Sequence, residues 1–303
     1  MKKKNLLTVY VTVLLLAFSL VVRVYAQRLP AGEGSFVYTD YKPLADKPIT
    51  VRYYIPDNKP DAEVLFVMHG NSRNAEGYWK TMLPYAKAHQ FLLIVPEFSK
   101  AYFPNSRDYH QGGMFTKEGD AVEKKYWAFS LIEPLFDYMK AQTGNTSQDY
   151  YLYGFSAGSQ FVHRFLMFQP QNRVSRAIAG SAGTYTMPDL SVKYAYGLKN
   201  TKVRPQDLSG MLQKDMILLV GDADTVLSRT DLVKTPVANR QGRDRVERGQ
   251  EFYRRSKELA GQLGVSFGWS FALVPEAGHS QSQMASTVAE ILFGSKQVEK
   301  DKK

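Results

Sequence analysis

Tyr150-Tyr-Leu-Tyr-Gly154-Phe-Ser156-Ala-Gly158-Ser-Gln160-Phe161 is the stretch on which the fold of this 303-residue chain turns. An apolar, aromatic run of strand character leads straight into Gly-Phe-Ser-Ala-Gly. A helical pattern, with Phe161, Phe165 and Phe168 at i, i+4 and i+7, leads straight out. A serine between two such elements sits at a sharp strand-to-helix turn with its hydroxyl projecting. The flanking glycines let neighbouring backbone pass without a Cβ in the way. The helix N-terminus beneath the serine adds partial positive charge where an oxyanion would develop.

Working outward, Val64–Met68, Phe91–Val95, Ala177–Ala179 and Met216–Val220 are short continuous apolar runs, as expected of strands buried on both faces. Ile49–Ile55 alternates and stops at Pro56, which suits a half-exposed antiparallel strand, and Phe267–Val274 reads as a further strand. Helical periods recur at Phe129, Ile132, Phe136 and Met139 and again at Met284, Val288, Ile291 and Leu292. Strand alternating with helix predicts an α/β class domain: a mostly parallel sheet with helices on both faces. Two long connections, 99–124 and 183–214, leave the carboxyl ends of strands, where open α/β sheets bind ligands. Residues 183–214 are a candidate cap or lid insertion.

A serine nucleophile needs a base. Of the five histidines, His163 lies two turns along the same helix as Ser156 and cannot reach back over it. His69 sits at a strand end and reads as structural, and His89 and His110 precede the nucleophile. His279, in the turn between the last strand and the last helix, is the candidate base. Its acid should lie between Ser156 and His279 in chain order, at a strand's carboxyl end. Val220-Gly-Asp222-Ala-Asp224 offers two carboxylates. Asp224 is favoured by its spacing, with Asp222 expected to brace the turn. Oxyanion donors are expected from the Ala157 amide and from the loop after Val64–Met68, where Asn71 N–H is the candidate and Ser72 its neighbour.

With these residues in hand, the chain resembles the α/β-hydrolase fold family of serine esterases over nearly all of residues 27–295. His-Gly-Asn at Asn71, the Ser156 motif, Gly-Asp-Ala-Asp at Asp224 and Gly-His at His279 follow the family's order. His69 to Tyr78 looks like the secreted polyhydroxybutyrate depolymerase and feruloyl esterase-like branch. The resemblance implies hydrolysis of extracellular esters by a serine acyl-enzyme route without a metal. The chain departs from that branch in having no Cys after His-Gly and lacks the His-Gly-Gly-Gly of hormone-sensitive-lipase relatives.

Composition narrows the remaining classes. The chain has no cysteine, which excludes disulfides, a thiol nucleophile and Cys-ligated metal sites. No cofactor motif and no paired-His metal spacing appears. The formal charge of +10 is misleading as a nucleic-acid signal, because it is concentrated at the two ends. Residues 1–26 hold Lys2, Lys3, Lys4 and Arg23 with no acid, and residues 296–303 form a charged tail. Lys2–Lys4, the apolar Leu6–Val22 and Val24-Tyr-Ala26 read as a signal peptide cleaved after Ala26, and hence an exported protein, periplasmic or secreted. No second segment is apolar enough to span a membrane. Tyr185, Tyr78, Trp79 and Tyr109 are candidate substrate-pocket residues. Arg229, Arg240, Arg243 and Arg245 read as a solvated basic face. The expected partner is an ester, small or polymeric. Peptide or amide hydrolysis on the same fold, and a non-catalytic binding role, are the alternatives.

Overall fold

The computed structural model describes residues 28–294; the leader assigned to 1–26 and the tail 296–303 lie outside the described residues. The strands are β1 (Gly32–Tyr38), β2 (Ile49–Ile55), β3 (Val64–Met68), β4 (Leu92–Glu97), β5 (Tyr150–Phe155), β6 (Val174–Gly180), β7 (Asp215–Gly221) and β8 (Trp269–Val274). They form one sheet in the order β1-β2-β4-β3-β5-β6-β7-β8. β2 runs antiparallel to both β1 and β4, and every pairing from β4 to β8 is parallel. The helices are α1 (Ala75–His89), α2 (Ile132–Thr143), α3 (Ala157–Phe168), α4 (Ser209–Gln213), α5 (Pro236–Asn239), α6 (Arg245–Leu263) and α7 (Gln281–Phe293).

Alternation along the strands feeds two cores. On β3, Phe66 and Met68 join one apolar cluster, with Phe136 of α2, Phe165 of α3 and Phe252 of α6. Leu65 and Val67 join the other, with Met82 of α1 and Val288 of α7. The sheet is thus mostly parallel with helices on both faces, as the alternation of elements predicts. Besides the short helices α4 and α5, three elements have no full periodic signal in the expected pattern. β1 is a half-exposed edge strand that begins Gly-Glu-Gly-Ser and carries little apolar signal. α1 contains Pro84 and buries only Ala75, Tyr78, Met82 and Ala86. α6 is the longest helix, yet Arg245, Arg248, Gly249 and Ser256 take up much of its buried face, so apolar side chains, chiefly Phe252, Leu259 and Ala260, mark only part of its period.

Two interior histidines anchor loops that rise from the sheet. His69, at the end of β3, donates from Nδ1 to the Gly70 carbonyl and accepts the Phe98 N–H at Nε2, each at 3.0 Å. His163 on α3 bonds the Ser159 carbonyl through Nδ1 and accepts Thr186 N–H at Nε2. A third, His110, accepts at Nδ1 from Arg164. All three are buried and, with one nitrogen accepting, are neutral. Burial pushes their affinity for a proton down: His69 to about 3, His110 and His163 well below the ordinary value of 6.5, the latter two helped by the Arg164 charge.

Each depressed value makes the folded state bind fewer protons than the unfolded chain. The stabilisation is complete above pH 6.5, the ordinary value, and drains away as the pH falls toward the folded value. Urea midpoints measured between pH 7 and pH 5 should fall with acid, each histidine contributing on the order of 1 kcal/mol per pH unit below its unfolded pKa. His163→Gln should flatten that slope.

Candidate active site

The Ser156 turn is built by close approach. A Cβ on Gly158 would stand 1.9 Å from the Met68 carbonyl oxygen, and one on Gly154 would stand 2.3 Å from the Gly158 carbonyl. The first turn of α3 therefore presses on the end of β3 at a distance only hydrogen allows. Ser156 itself has φ 59° and ψ −114°, a region costly for any residue with a side chain by about 1–3 kcal/mol. Its amide is held by the Gly180 carbonyl of β6 at 2.8 Å, and its carbonyl accepts from Gln160 N–H.

His279 and Asp224 reach this turn from two other strand ends. Ser156 Oγ lies 3.0 Å from His279 Nε2, and His279 Nδ1 lies 2.7 Å from Asp224 Oδ2. With the Nδ1 proton on the carboxylate side, Nε2 faces the serine as an acceptor. The imidazole also lies against the Phe155 ring, centroids 4.7 Å apart. Asp222, the alternative acid, is exposed and meets neither side chain. It does not brace the turn through its carboxylate either; backbone bonds do that, Asp222 N–H to Val274 O and Asp224 N–H to Gly221 O.

These side chains open on a cleft of about 760 Å³, whose lining includes Asn71, Ser72, Tyr78, Lys100, Ser156, Ala157, Gln160, Arg164, Tyr196, Asp231 and His279. Asn71 and Ala157, the expected oxyanion donors, both border it. Ala157 is the first residue of α3, so its N–H has no acceptor within the helix. Of the four aromatic candidates only Tyr78 lines the cleft. Tyr109 is buried, stacked on His69 at 4.6 Å, with its hydroxyl donating to the His69 carbonyl. Trp79 donates to Tyr53 O, and Tyr185 stacks on Phe252 at 4.7 Å in the core. None of these three borders the cleft.

The basic residues also need correction. Arg240 and Arg243 are exposed, but Arg245 is 1% exposed and Arg248 is fully buried. Four arginines are buried in all, Arg73, Arg164, Arg245 and Arg248, against one buried carboxylate among the described residues, Asp224. Each arginine grips a loop of the site. Arg73 holds Asn71 and the Phe103 and Asn105 carbonyls. Arg164 holds Thr186 and the His110 and Ala195 carbonyls. Arg248 holds the Gly183, Val233 and Gly242 carbonyls. Arg245 bonds Asp224 Oδ1 at 3.2 Å, on the oxygen His279 leaves free, and the Asp231 carbonyl at 3.2 Å. Gly183, Thr184, Ala195 and Tyr196 thus form a wall of the cleft, and their segment is tied down by Arg164, Arg248, His163 and Gln241.

The sequence carried a sign of Arg245 that the reading missed. It opens α6, where the helix dipole disfavours a cation, so its place there calls for an acidic partner. Arg245→Met should leave the Asp224 carboxylate buried with one partner fewer and destabilise the fold by about 3 kcal/mol, read by urea unfolding. Gly158→Ala should cost at least as much, about 3 kcal/mol, because backbone rather than a mobile side chain stands in the way. Gly261→Ala, on α6 with open space around it, should stabilise by about 1 kcal/mol.

Comparison with known proteins places the chain. Neither the family models nor the curated proteins compared with it match. Among solved structures, poly(aspartic acid) hydrolase-1 from Sphingomonas sp. KT-1 is 40% identical over 87% of this chain and 99% of its own, with a TM-score of 0.84. The poly(3-hydroxybutyrate) depolymerase LpqC from Bordetella parapertussis is 31% identical over 88% and 91% of the two chains, with a TM-score of 0.82. An S-formylglutathione hydrolase from Agrobacterium tumefaciens, 13% identical at a TM-score of 0.56 over 88% and 96%, shares the fold. The chain belongs to the α/β-hydrolase family of serine esterases, in its polyhydroxybutyrate depolymerase-like branch, and is a carboxylic-ester hydrolase.

Proposed function

We propose that the protein cleaves esters through a Ser156 acyl-enzyme, with His279 as general base and acid and Asp224 holding the imidazolium. The observation that carries this is the unbroken chain Ser156 Oγ, His279 and Asp224, at 3.0 and 2.7 Å. Ser156 Oγ attacks the substrate carbonyl as its proton passes to His279 Nε2. The Asn71 and Ala157 amides take the oxyanion, and His279 then returns the proton to the departing alcohol. Water repeats the sequence to free the acid and restore Ser156. Buried Asp224, bonded by Arg245 on its second oxygen, keeps the imidazole in the tautomer that faces the serine. The leader at 1–26 supports export, with Gln27 as the first residue of the exported protein. Among the described residues no helix is long and apolar enough to cross a membrane.

A second reading extends the chemistry to amide bonds of an acidic polymer. It is favoured by the 40% identity to a poly(aspartic acid) hydrolase and by the cleft itself. Lys100 and Arg164 line the cleft, and neither has an acidic partner among the described residues, whereas the lining acid, Asp231, is taken by Arg229 and Arg245. Tyr196 separates the cleft from a second hollow of about 630 Å³, which gives an extended chain somewhere to run.

Hydrolysis of p-nitrophenyl esters from acetate to palmitate by residues 27–303 is the first test, with poly(3-hydroxybutyrate) and poly(aspartic acid) assayed beside them. Ser156→Ala should abolish turnover while leaving the melting transition in place. Asp224→Asn should lower kcat by about 10⁴, and Asp222→Asn should change it far less. Turnover that survives Ser156→Ala would sink the reading.

A further inference from the structure

Asp231 reads in the sequence as one of several acids in loops away from the strand ends, yet it stands at the reacting end of the site. Its Oδ2 lies 3.8 Å from His279 Nε2, the nitrogen that faces Ser156 Oγ at 3.0 Å. It is half-exposed and lines the same cleft. Its position is held from two sides. Arg229 binds both carboxylate oxygens, Nε to Oδ1 and Nη2 to Oδ2, each at 2.8 Å. Arg245 binds its main-chain carbonyl at 3.2 Å and Oδ1 at 3.3 Å, with the same guanidinium that bonds Asp224. The Arg229 side chain holds the Asp231 carboxyl far below the usual carboxylate range, with the Arg245 charge adding to it. It is therefore ionised, and an acceptor, at neutral pH. The Arg229 pair is half-exposed and contributes little to stability, whereas the contact to buried Arg245 helps to neutralise that cation.

We propose that Asp231 is a catalytic residue of deacylation: it binds the hydrolytic water against His279 Nε2. The proposal rests on the acyl-enzyme reading above. A separation of 3.8 Å lets one water donate a hydrogen to each of Nε2 and Oδ2, and a water held by two fixed acceptors keeps both its lone pairs directed away from them. In the step itself the water oxygen forms a bond to the acyl carbon of the Ser156 ester while its proton passes to Nε2. Its second hydrogen stays on oxygen, bonded to Asp231, which remains ionised throughout. The tetrahedral intermediate then collapses, the bond from carbon to Ser156 Oγ breaks, and His279 returns its proton to that oxygen. In acylation the attacking atom is Ser156 Oγ, already placed by the turn, so Asp231 acts chiefly on the second half of the reaction.

Stopped-flow hydrolysis of p-nitrophenyl butyrate separates the halves. Asp231→Asn, nearly isosteric, should lower the steady-state rate by about tenfold or more and leave single-turnover acylation within about twofold, so that the p-nitrophenol burst rises toward one equivalent per active site. Arg229→Gln, which loosens Asp231 without touching Arg245, should show the same split more weakly. Acylation and deacylation falling together would mean that Asp231 only steadies Arg245 and Asp224, and would overturn the assignment; so would an unchanged steady-state rate. Ser156→Ala run alongside should give neither burst nor turnover. Turnover there would remove the acyl-enzyme itself, a failure distinct from an Asp231 variant that leaves the wild-type kinetics intact.

Discussion

The site depends on one contact between backbones: the first turn of α3 resting on the end of β3, where Gly158 leaves no space for a Cβ beside the Met68 carbonyl. That contact sets the angle at which α3 leaves the sheet, and with it the direction of the Ser156 hydroxyl. It also places the two expected oxyanion amides near each other, since Asn71 follows β3 and Ala157 begins α3. The strain at Ser156 persists because the elements on either side are over-determined: β5 is paired on both edges, and α3 is buried along its whole length. A serine on a looser turn would relax and carry its hydroxyl away.

What was legible in the sequence follows from how local each signal is. The β5–Ser156–α3 unit is contiguous, so its strand, turn and helix signals fall within twenty residues. The buried strands announce themselves because both faces of a parallel sheet are apolar. Asp224 and His279 could be proposed because strand ends come in a fixed order along the chain. Tyr109, Trp79 and Tyr185 were misplaced for the complementary reason: an aromatic ring in a loop looks the same whether it faces a cleft or a core, and only the tertiary partner decides. Asp231 reads as an ordinary loop acid because it sits seven residues past Asp224 in a stretch without periodicity.

The most instructive miss is α6. Its buried face is made of guanidinium groups as much as of apolar side chains, so a search for hydrophobic period passes over the longest helix in the molecule. Burying a cation is costly unless its donors are satisfied. Here most of them are met by main-chain carbonyls, together with the Asp224 carboxylate, while Arg245 Nε is left without a partner. Arginine suits this because one planar group can grip several segments at once. The result is an interior in which polar groups assemble the site and apolar groups assemble the layers beneath it.

The identity of the acceptors has a consequence for how such a site can change. Arg73 and Arg248 hold their loops largely by peptide oxygens, which every amino acid supplies. Side chains on the loops these two grip can therefore be exchanged without loosening what fixes them in place, provided the number of residues between gripped carbonyls is kept. Substrate range becomes a matter of composition at fixed loop length: the frame is read through the backbone, and the walls are left free to diversify.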